Sequence, residues 1–255
     1  MSLSLTPLPG IPLIKPGDDL VGILLNALEK AGLELIDGDV LVLAQKIVSK
    51  SEGRFVNLAD IQPSNRARSL AAVTEKDVRL VELVLQESNE VLRTRPGTII
   101  VEHRLGFVCA NAGIDHSNVF GDGDAEQDWV LLLPLNPDQS ANELRSRLEA
   151  HSGIRIGVMI IDSHGRAWRQ GVVGTAIGLS GLPALVDLRG KPDLFGYTLR
   201  ITQVAAADEL AGAASLMMGQ AAEGTPVVHV RGFPYSLREA SMTELLRPRE
   251  LDLFR

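Results

Sequence analysis

The stretch from Ile154 to Gly171 constrains this chain more than any other. The largely apolar run Ile154 to Ile161 has the length and composition of a buried strand. It stops abruptly at Asp162-Ser163-His164-Gly165-Arg166-Ala167-Trp168-Arg169-Gln170-Gly171. A strand end requires none of these groups. A site holding a metal ion and phosphate oxygens could use all of them, with carboxylate and hydroxyl as hard oxygen ligands and guanidinium groups facing anionic charge. An ordinary loop with Arg–Asp pairing accounts for the same residues, so the rest of the chain has to choose.

Around that run, short apolar strands alternate with helical patterns. Ser2 to Leu5 alternates polar and apolar. Asp18 or Asp19 can cap a helix to about Ala31, with Leu20, Ile23, Leu24, Ala27 and Leu28 on one face. Val40 to Ala44 reads as a buried strand, and Gln45 to Lys50 as a polar–apolar mixture. Helices are expected over Ser64–Val73 and Asp77–Gln86, and strands over Thr98–Val101, Gly106–Ala110 and Trp129–Leu133. Pro134 and Pro137 end the last of these and precede a helix to about His151, capped by Asp138 or Ser140. Further strands are expected over Thr198–Ala205 and Val227–Val230, with a helix over Asp208–Met218 between them. The elements interleave without a regular βαβ period, which predicts a mixed α/β or α+β architecture and not a doubly wound nucleotide-binding sheet.

A chain of 255 residues can bury a core as one large domain or as two lobes. Aromatic residues are only 4%, which argues against stacking platforms for single-stranded nucleic acid, and the net charge of −7 argues against a duplex-binding surface. Cys109 is the sole cysteine, so neither an internal disulfide nor a cysteine-rich zinc site can form. Its apolar surroundings predict a buried structural thiol. No run approaches the roughly 18 apolar residues of a membrane span, and the N-terminus lacks the basic start of a secretory signal. The expected location is the cytoplasm, with no membrane partner.

Neither a phosphate-loop motif nor Gly-x-Gly-x-x-Gly after a strand is present, so a nucleotide would need another arrangement. Ala110-Asn111-Ala112-Gly113-Ile114-Asp115-His116-Ser117-Asn118 places a second acid after a strand and a glycine turn. If the strands before Asp115 and Asp162 are neighbours, two carboxylates converge and repel unless a cation lies between them. His116 could be a ligand or an exposed loop histidine, and Asn118 could simply close an Asx-turn. Met217-Met218-Gly219-Gln220-Ala221-Ala222-Glu223-Gly224-Thr225-Pro226 offers glycines for close backbone approach and a neutral amide oxygen, or else a plain helix cap. Lys46, Lys50 and Arg54, at a spacing of four, could share one helical side and grip phosphates, or form a solvated basic turn. The acidic loop Phe120 to Glu126 lacks calcium-hand spacing and reads as a flexible solvated loop.

Taken in this order, these segments resemble the GTP-dependent coenzyme F420-0:L-glutamate ligases, the gamma-glutamyl ligases. The resemblance runs from Gly10-Ile11-Pro12-Leu13-Ile14-Lys15-Pro16-Gly17-Asp18-Asp19 to Pro226-Val227-Val228-His229-Val230-Arg231-Gly232. Its most specific parts are Lys46-Ile47-Val48-Ser49-Lys50 with Glu52-Gly53-Arg54, Asn111 to Asp115 with Ser117-Asn118, and Asp162-Ser163 through Arg169. The resemblance implies that Asp115, Asp162, Ser163 and Gln220 bind Mg2+ or Mn2+, with Asp115 and Asp162 at the catalytic centre and a monovalent cation as a further candidate. It implies that Ile11, Pro12, Leu13, Ile14, Gln45, Lys50 and Asn118 bind the guanine nucleotide, together with Met218, Gly219, Gln220, Ala221, Ala222, Glu223, Gly224 and Thr225. Gln45 stands where some members carry a small hydroxyl residue. A single ligase domain over residues 1–255, two-lobed and forming an intertwined homodimer, is also implied. With the chain ending at Arg255, the flavin-dependent reductase domain of some bacterial relatives is not expected.

The implied chemistry joins L-glutamate to the phospholactyl tail of coenzyme F420-0 through an acyl phosphate made from GTP, with γ-linked additions in later rounds. Arg166 and Arg169 could orient carboxylate or phosphate groups, or pair structurally with Asp187 or Asp193. A metal-dependent phosphohydrolase and a non-catalytic nucleotide-binding protein are the competing classes.

Overall fold

The computed structural model of the chain describes residues 2–119 and 128–253. The loop Phe120 to Glu126 therefore lies outside the described residues. In chain order the first half holds β1 (Ser4–Pro7), α1 (Leu20–Lys30), β2 (Val40–Ala44), α2 (Gln45–Ser51), β3 (Phe55–Asn57), α3 (Asn65–Thr74), α4 (Val78–Gln86), β4 (Ser88–Arg95), β5 (Thr98–His103) and β6 (Val108–Ala110). The second half holds β7 (Trp129–Leu131), α5 (Pro137–Ser152), β8 (Gly157–Gly165), β9 (Val172–Ser180), β10 (Val186–Asp187), β11 (Gln203–Val204), α6 (Ala206–Met218) and β12 (Val227–Arg231). The mixed α/β expectation is met by open sheets with helices packed on them.

The central sheet has the order β1-β12-β2-β8-β9, and only β2 and β8 run parallel. Both of its faces are covered. Leu41, Leu43, Val158 and Ile160 point to α1 and α5, meeting Leu24, Leu28, Leu144 and Leu148. Their strand neighbours Val40, Val42, Met159 and Ile161 point to α6, meeting Leu210, Ala211 and Ala214. Strands buried on both sides need apolar residues at every position, which is why these runs read as continuous rather than alternating. At an order-of-magnitude 1.5–3 kcal/mol per buried large aliphatic side chain, this double-faced layer is the main source of stability.

Strand β9 is wedged between two helices, and its glycines make room. A Cβ at Gly174 would lie 2.4 Å from the Ala211 carbonyl oxygen of α6, and one at Gly178 would lie 2.4 Å from the backbone of Pro137 at the start of α5. Helix starts follow local chemistry. Asp19 accepts from the Gly22 N–H, Ser64 from Ala67, Asp77 from Arg79 and Asn136 from Gln139. For α5 the cap is Asn136 and not Asp138 or Ser140, because Pro137 takes the first helical position.

A second, antiparallel sheet, β4-β5-β6, packs against α3 and α4 through Ala67, Val81, Val84, Ile99, Val101 and Cys109. Gln45 to Ser51 is a helix, begun directly where β2 ends, so Lys46 and Lys50 do lie one helical turn apart. Two expectations need correction. Thr198 to Ala205 contains only the two strand residues Gln203 and Val204, because β10, their partner, is itself two residues long. The strand after Ile154 does not stop at Ile161 but continues to Gly165. No helix among the described residues is long and apolar enough to cross a membrane.

Candidate functional site

The extension of β8 builds the site. Its parallel partner β2 ends at Ala44, opposite Ile161. Beyond that point Asp162, Ser163, His164 and Gly165 pair only with Thr175, Gly174, Val173 and Val172 of β9. The end of the ladder is thus a two-stranded ribbon on which the β8 edge is also left open, and polar side chains there avoid the buried core. Alternation sends Asp162 and His164 to one side and Ser163 to the other. Asp162 and Ser163 were expected on a loop; they stand on a strand.

Asp115 reaches the same place from the second sheet. A short 3-10 turn, Asn111–Gly113, follows β6, with Ala112 in the left-handed region at φ 54°. The Asp115 backbone then exchanges hydrogen bonds of 2.9 Å with Leu131 of β7. Its carboxylate accepts from Gln45 Nε2 at 2.6 Å and pairs with Lys46 Nζ at 3.1 Å. Gln45 is fully buried and held in turn by Ser49 Oγ at 2.9 Å. Burial pushes the Asp115 carboxyl up from the usual carboxylate range; Lys46 opposes that shift, and the charge of Asp162 adds to it. The two acids therefore feel one another across a shared cleft.

That cleft has a volume of about 1250 Å³. It brings together Ile11 to Ile14, Gln45, Lys46, Lys50, Asp115, Asn118, Asp162, Ser163 and the loop Met218 to Thr225. Every residue that the resemblance assigns to the metal or the nucleotide is thus on one wall or another of a single cavity. On the side opposite Asp115, Ser163 Oγ donates to Gln220 Oε1 at 2.9 Å, while Gln220 Nε2 donates to Ser215 Oγ at 2.9 Å. Gly219 ends α6 at φ 74°, a backbone form that favours glycine, and the loop closes on itself through Thr225 Oγ1 to the Met218 carbonyl at 3.0 Å. The exposed Glu223 carboxylate accepts from the Ala221 N–H at 2.8 Å, and such backbone bonds hold its pKa below the usual range. Asn118, at φ 57°, spans the two loops by donating from Nδ2 to the Ala221 carbonyl at 3.4 Å. Lys50 is half-buried, and desolvation, then the nearby Lys46 charge, lower its pKa.

Other expected members stand apart. Arg54 lies beyond the end of α2 and turns inward, donating from Nε to the Leu133 carbonyl at 2.9 Å and pairing with Glu87 at 3.2 Å. It anchors structure and does not share the cleft with Lys46 and Lys50. Arg166 donates to the Gly171 carbonyl within its own hairpin, and Arg169 is exposed at the hairpin tip. Their proposed structural partners are engaged elsewhere: Asp187 pairs with Arg189, and Asp193 accepts from the N–H groups of Phe195 and Tyr197. His116 is exposed. Cys109 is buried, and desolvation pushes its thiol up to about 12, as a structural thiol requires. Two cleft residues were missed as partners of the acids. Lys46, a candidate phosphate-gripping base by its spacing, pairs with Asp115, and His164 bonds Asp162 at 3.0 Å. A strand reading carried through to Gly165 would have put His164 on the Asp162 side.

The donor set suits a hard divalent cation: two carboxylates, a hydroxyl and an amide oxygen on one cleft, with the charge of Asp162 adding to the upward shift of the Asp115 carboxyl. Among the described residues no three His, Cys, Asp or Glu side chains cluster as a metal site. Here the oxygen donors are two acids and two neutral groups, the Ser163 hydroxyl and the Gln220 amide.

Comparison with known proteins gives a consistent result. The family model for F420-0:Gamma-glutamyl ligase matches residues 10–232. The coenzyme F420:L-glutamate ligase of Methanothermobacter thermautotrophicus is 48% identical over 257 residues, covering 100% of both chains. Those of Methanopyrus kandleri and Archaeoglobus fulgidus are 45% and 44% identical, covering 100% of this chain and 98% and 97% of theirs. With the match spanning the strand ends, the lysine-bearing helix and the Met218 to Thr225 loop, the chain belongs to the F420-0:gamma-glutamyl ligase family.

Proposed function

We propose that this protein joins L-glutamate to the phospholactyl tail of coenzyme F420-0 at the expense of GTP. The observation that carries the reading is the convergence of Asp115, Asp162, Ser163, Gln220 and two lysines on one cleft in a chain of this family. In the first step a carboxylate oxygen of the phospholactyl tail attacks the γ-phosphorus of GTP. The bond to the β-phosphate bridging oxygen breaks, giving GDP and an acyl phosphate. In the second, the glutamate α-amine attacks the acyl carbon, phosphate leaves, and the amine loses a proton as the amide forms. Later rounds would use the γ-carboxylate of the added glutamate.

Charge control is the demand this chemistry makes on the protein. Three anionic reactants must share a cleft that already holds two carboxylates. Asp115, Asp162, Ser163 and Gln220 would hold one or two Mg2+ or Mn2+ ions, which when bound supply Lewis-acid neutralisation of phosphate charge. Lys50 adds a point charge on the phosphates from the wall formed by α2, and Lys46 restrains Asp115. Gln45 holds the other oxygen of Asp115 and so sets the direction in which its free lone pairs point. The apolar segment Ile11 to Ile14 and the loop Met218 to Thr225 would enclose the nucleotide, with Asn118 bridging to that loop. The same reading takes the working unit as a two-lobed homodimer acting in the cytoplasm, with a monovalent cation as a further occupant of the site.

The test is mass spectrometry of F420-0 after incubation with GTP, L-glutamate and Mn2+. Glutamyl-extended coenzyme, formed only when all three substrates are present, is the expected product. GTP hydrolysis indifferent to both acceptors would make the protein a phosphohydrolase, and the absence of GTP turnover would make it a binding protein; either result overturns the proposal.

A further inference from the structure

Beyond the residues already assigned roles, one side chain touches the site from a well-defined position. His164 Nε2 lies 3.0 Å from Asp162 Oδ2, and the imidazole is nearly buried, with 12% of its side chain accessible. Where the carboxylate accepts, Nε2–H is the donor of this bond. The ring has little freedom to leave. His164 pairs with Val173 in the β8–β9 ladder, and its ring packs on Phe107 at 5.3 Å between centroids. Phe107 is itself stacked on His103 at 5.2 Å, with the planes 6° apart. His103 is buried, its Nδ1 accepts the Leu105 N–H at 3.0 Å, and burial lowers its pKa to about 4, so this end of the stack is neutral.

From this geometry we infer that His164 is a positioning residue, whose Nε2–H fixes one oxygen of Asp162 so that the other faces the cleft for the divalent cation. The inference rests on the reading of Asp162 as a cation-binding residue. A carboxylate on a strand rotates about its side-chain bonds unless something holds it, and a hydrogen bond to one oxygen removes that freedom before the cation arrives. Removing such an outer partner typically weakens metal binding about 10–100-fold. The histidine is two residues after the acid, and on a strand that spacing alone places both side chains on one face. The partner is therefore part of the same short segment as the ligand it orients.

The test measures Mn2+ binding directly, from the loss of the free-ion electron paramagnetic resonance signal, in His164→Phe, His164→Gln and Asp162→Asn proteins. His164→Phe keeps a ring against Phe107 and deletes the donor, and it should raise the Mn2+ Kd at least about tenfold while the melting temperature holds. His164→Gln retains an N–H at similar reach and should stay within about threefold of the parent, a rescue that a purely structural role would not produce. Unchanged Mn2+ binding in His164→Phe, with binding lost in Asp162→Asn, would overturn the role of His164 while leaving the cation site standing. Unchanged binding in Asp162→Asn would remove both. Should His164→Phe fail to fold, nitrogen-15 spectra of the parent imidazoles supply the second measurement: protonation of His164 at Nε2, kept on addition of Mg2+, is expected, and protonation at Nδ1 alone overturns the assignment.

Discussion

Replacing Gly178 by alanine should destabilise the protein sharply, because β9 meets the start of α5 there with no space to spare. A Cβ would fall 2.4 Å from both the carbonyl carbon and the Cβ of Pro137 and 2.6 Å from its carbonyl oxygen. Ordinary contact begins near 3.4 Å, so strand and helix must separate by about 1 Å. The obstacle is largely backbone, pinned by a proline at the first helical position, and it cannot swing aside as a long side chain would. Overpacking of this kind costs about 1–3 kcal/mol. At roughly 2–4 °C per kcal/mol for a chain of this size, the melting temperature should fall by about 2–12 °C. Gly212 provides the opposite sign. It lies within α6 with nothing inside 4 Å of its would-be Cβ, so Gly212→Ala should stabilise by roughly 0.5–1 kcal/mol. Urea unfolding of the two variants beside the parent measures both. If Gly178→Ala matches the parent within about 0.5 kcal/mol, the close-packing argument for β9 is wrong.

Asp162→Asn should abolish ligation while leaving the melting curve intact, since it removes a charge from the open ribbon and not from the core; wild-type turnover in the folded variant would refute its proposed role. The buried Asp39 should shape the acid limit of stability. Burial alone would raise its pKa, but the guanidinium of Arg231 and the ring of His229, 2.8 Å away, more than offset it, leaving it lowered. A lowered native pKa means stability that is full above the unfolded value, about 4, and lost as the pH falls below it. Asp39→Asn should be less stable at neutral pH and should lose less on acidification, as denaturant midpoints across that range would report. Cys109, with its thiol pushed up to about 12, should resist iodoacetamide at pH 8 in the native state and react fully in urea.

Much of the fold could be read in advance where a local signal and the tertiary packing agree. Helices α1, α3 and α4 each begin one residue after a capping side chain, Asp19, Ser64 and Asp77. Strand β4 was not legible, because Asn89, Glu90, Arg93 and Arg95 face outward and two register irregularities break its alternation. The segment Thr198 to Ala205 misled for the reverse reason: its alternation is strand-like, but most of it has no neighbouring strand to pair with. At the site, the identity of the acids was legible and their mounting was not. Nothing in the sequence marks where β2 stops, and that endpoint decides that Asp162 stands on an open ribbon edge. Lys46 could be read as basic but not as the partner of Asp115, since that pairing depends on a contact between α2 and a segment 69 residues away (115 − 46).

The ribbon beyond β2 also sets what kind of change the protein can absorb. Ile177 has no opposite number in the ladder, since Ile160 faces Gly178 and Ile161 faces Ala176. That single offset fixes which way each side chain of the outer ribbon is turned. One residue inserted between Ile161 and Asp162 would hand the acid's position to its neighbour's side, whereas two would restore it. Mutational scanning should therefore find this segment far more forgiving of exchanges than of odd-numbered changes in length.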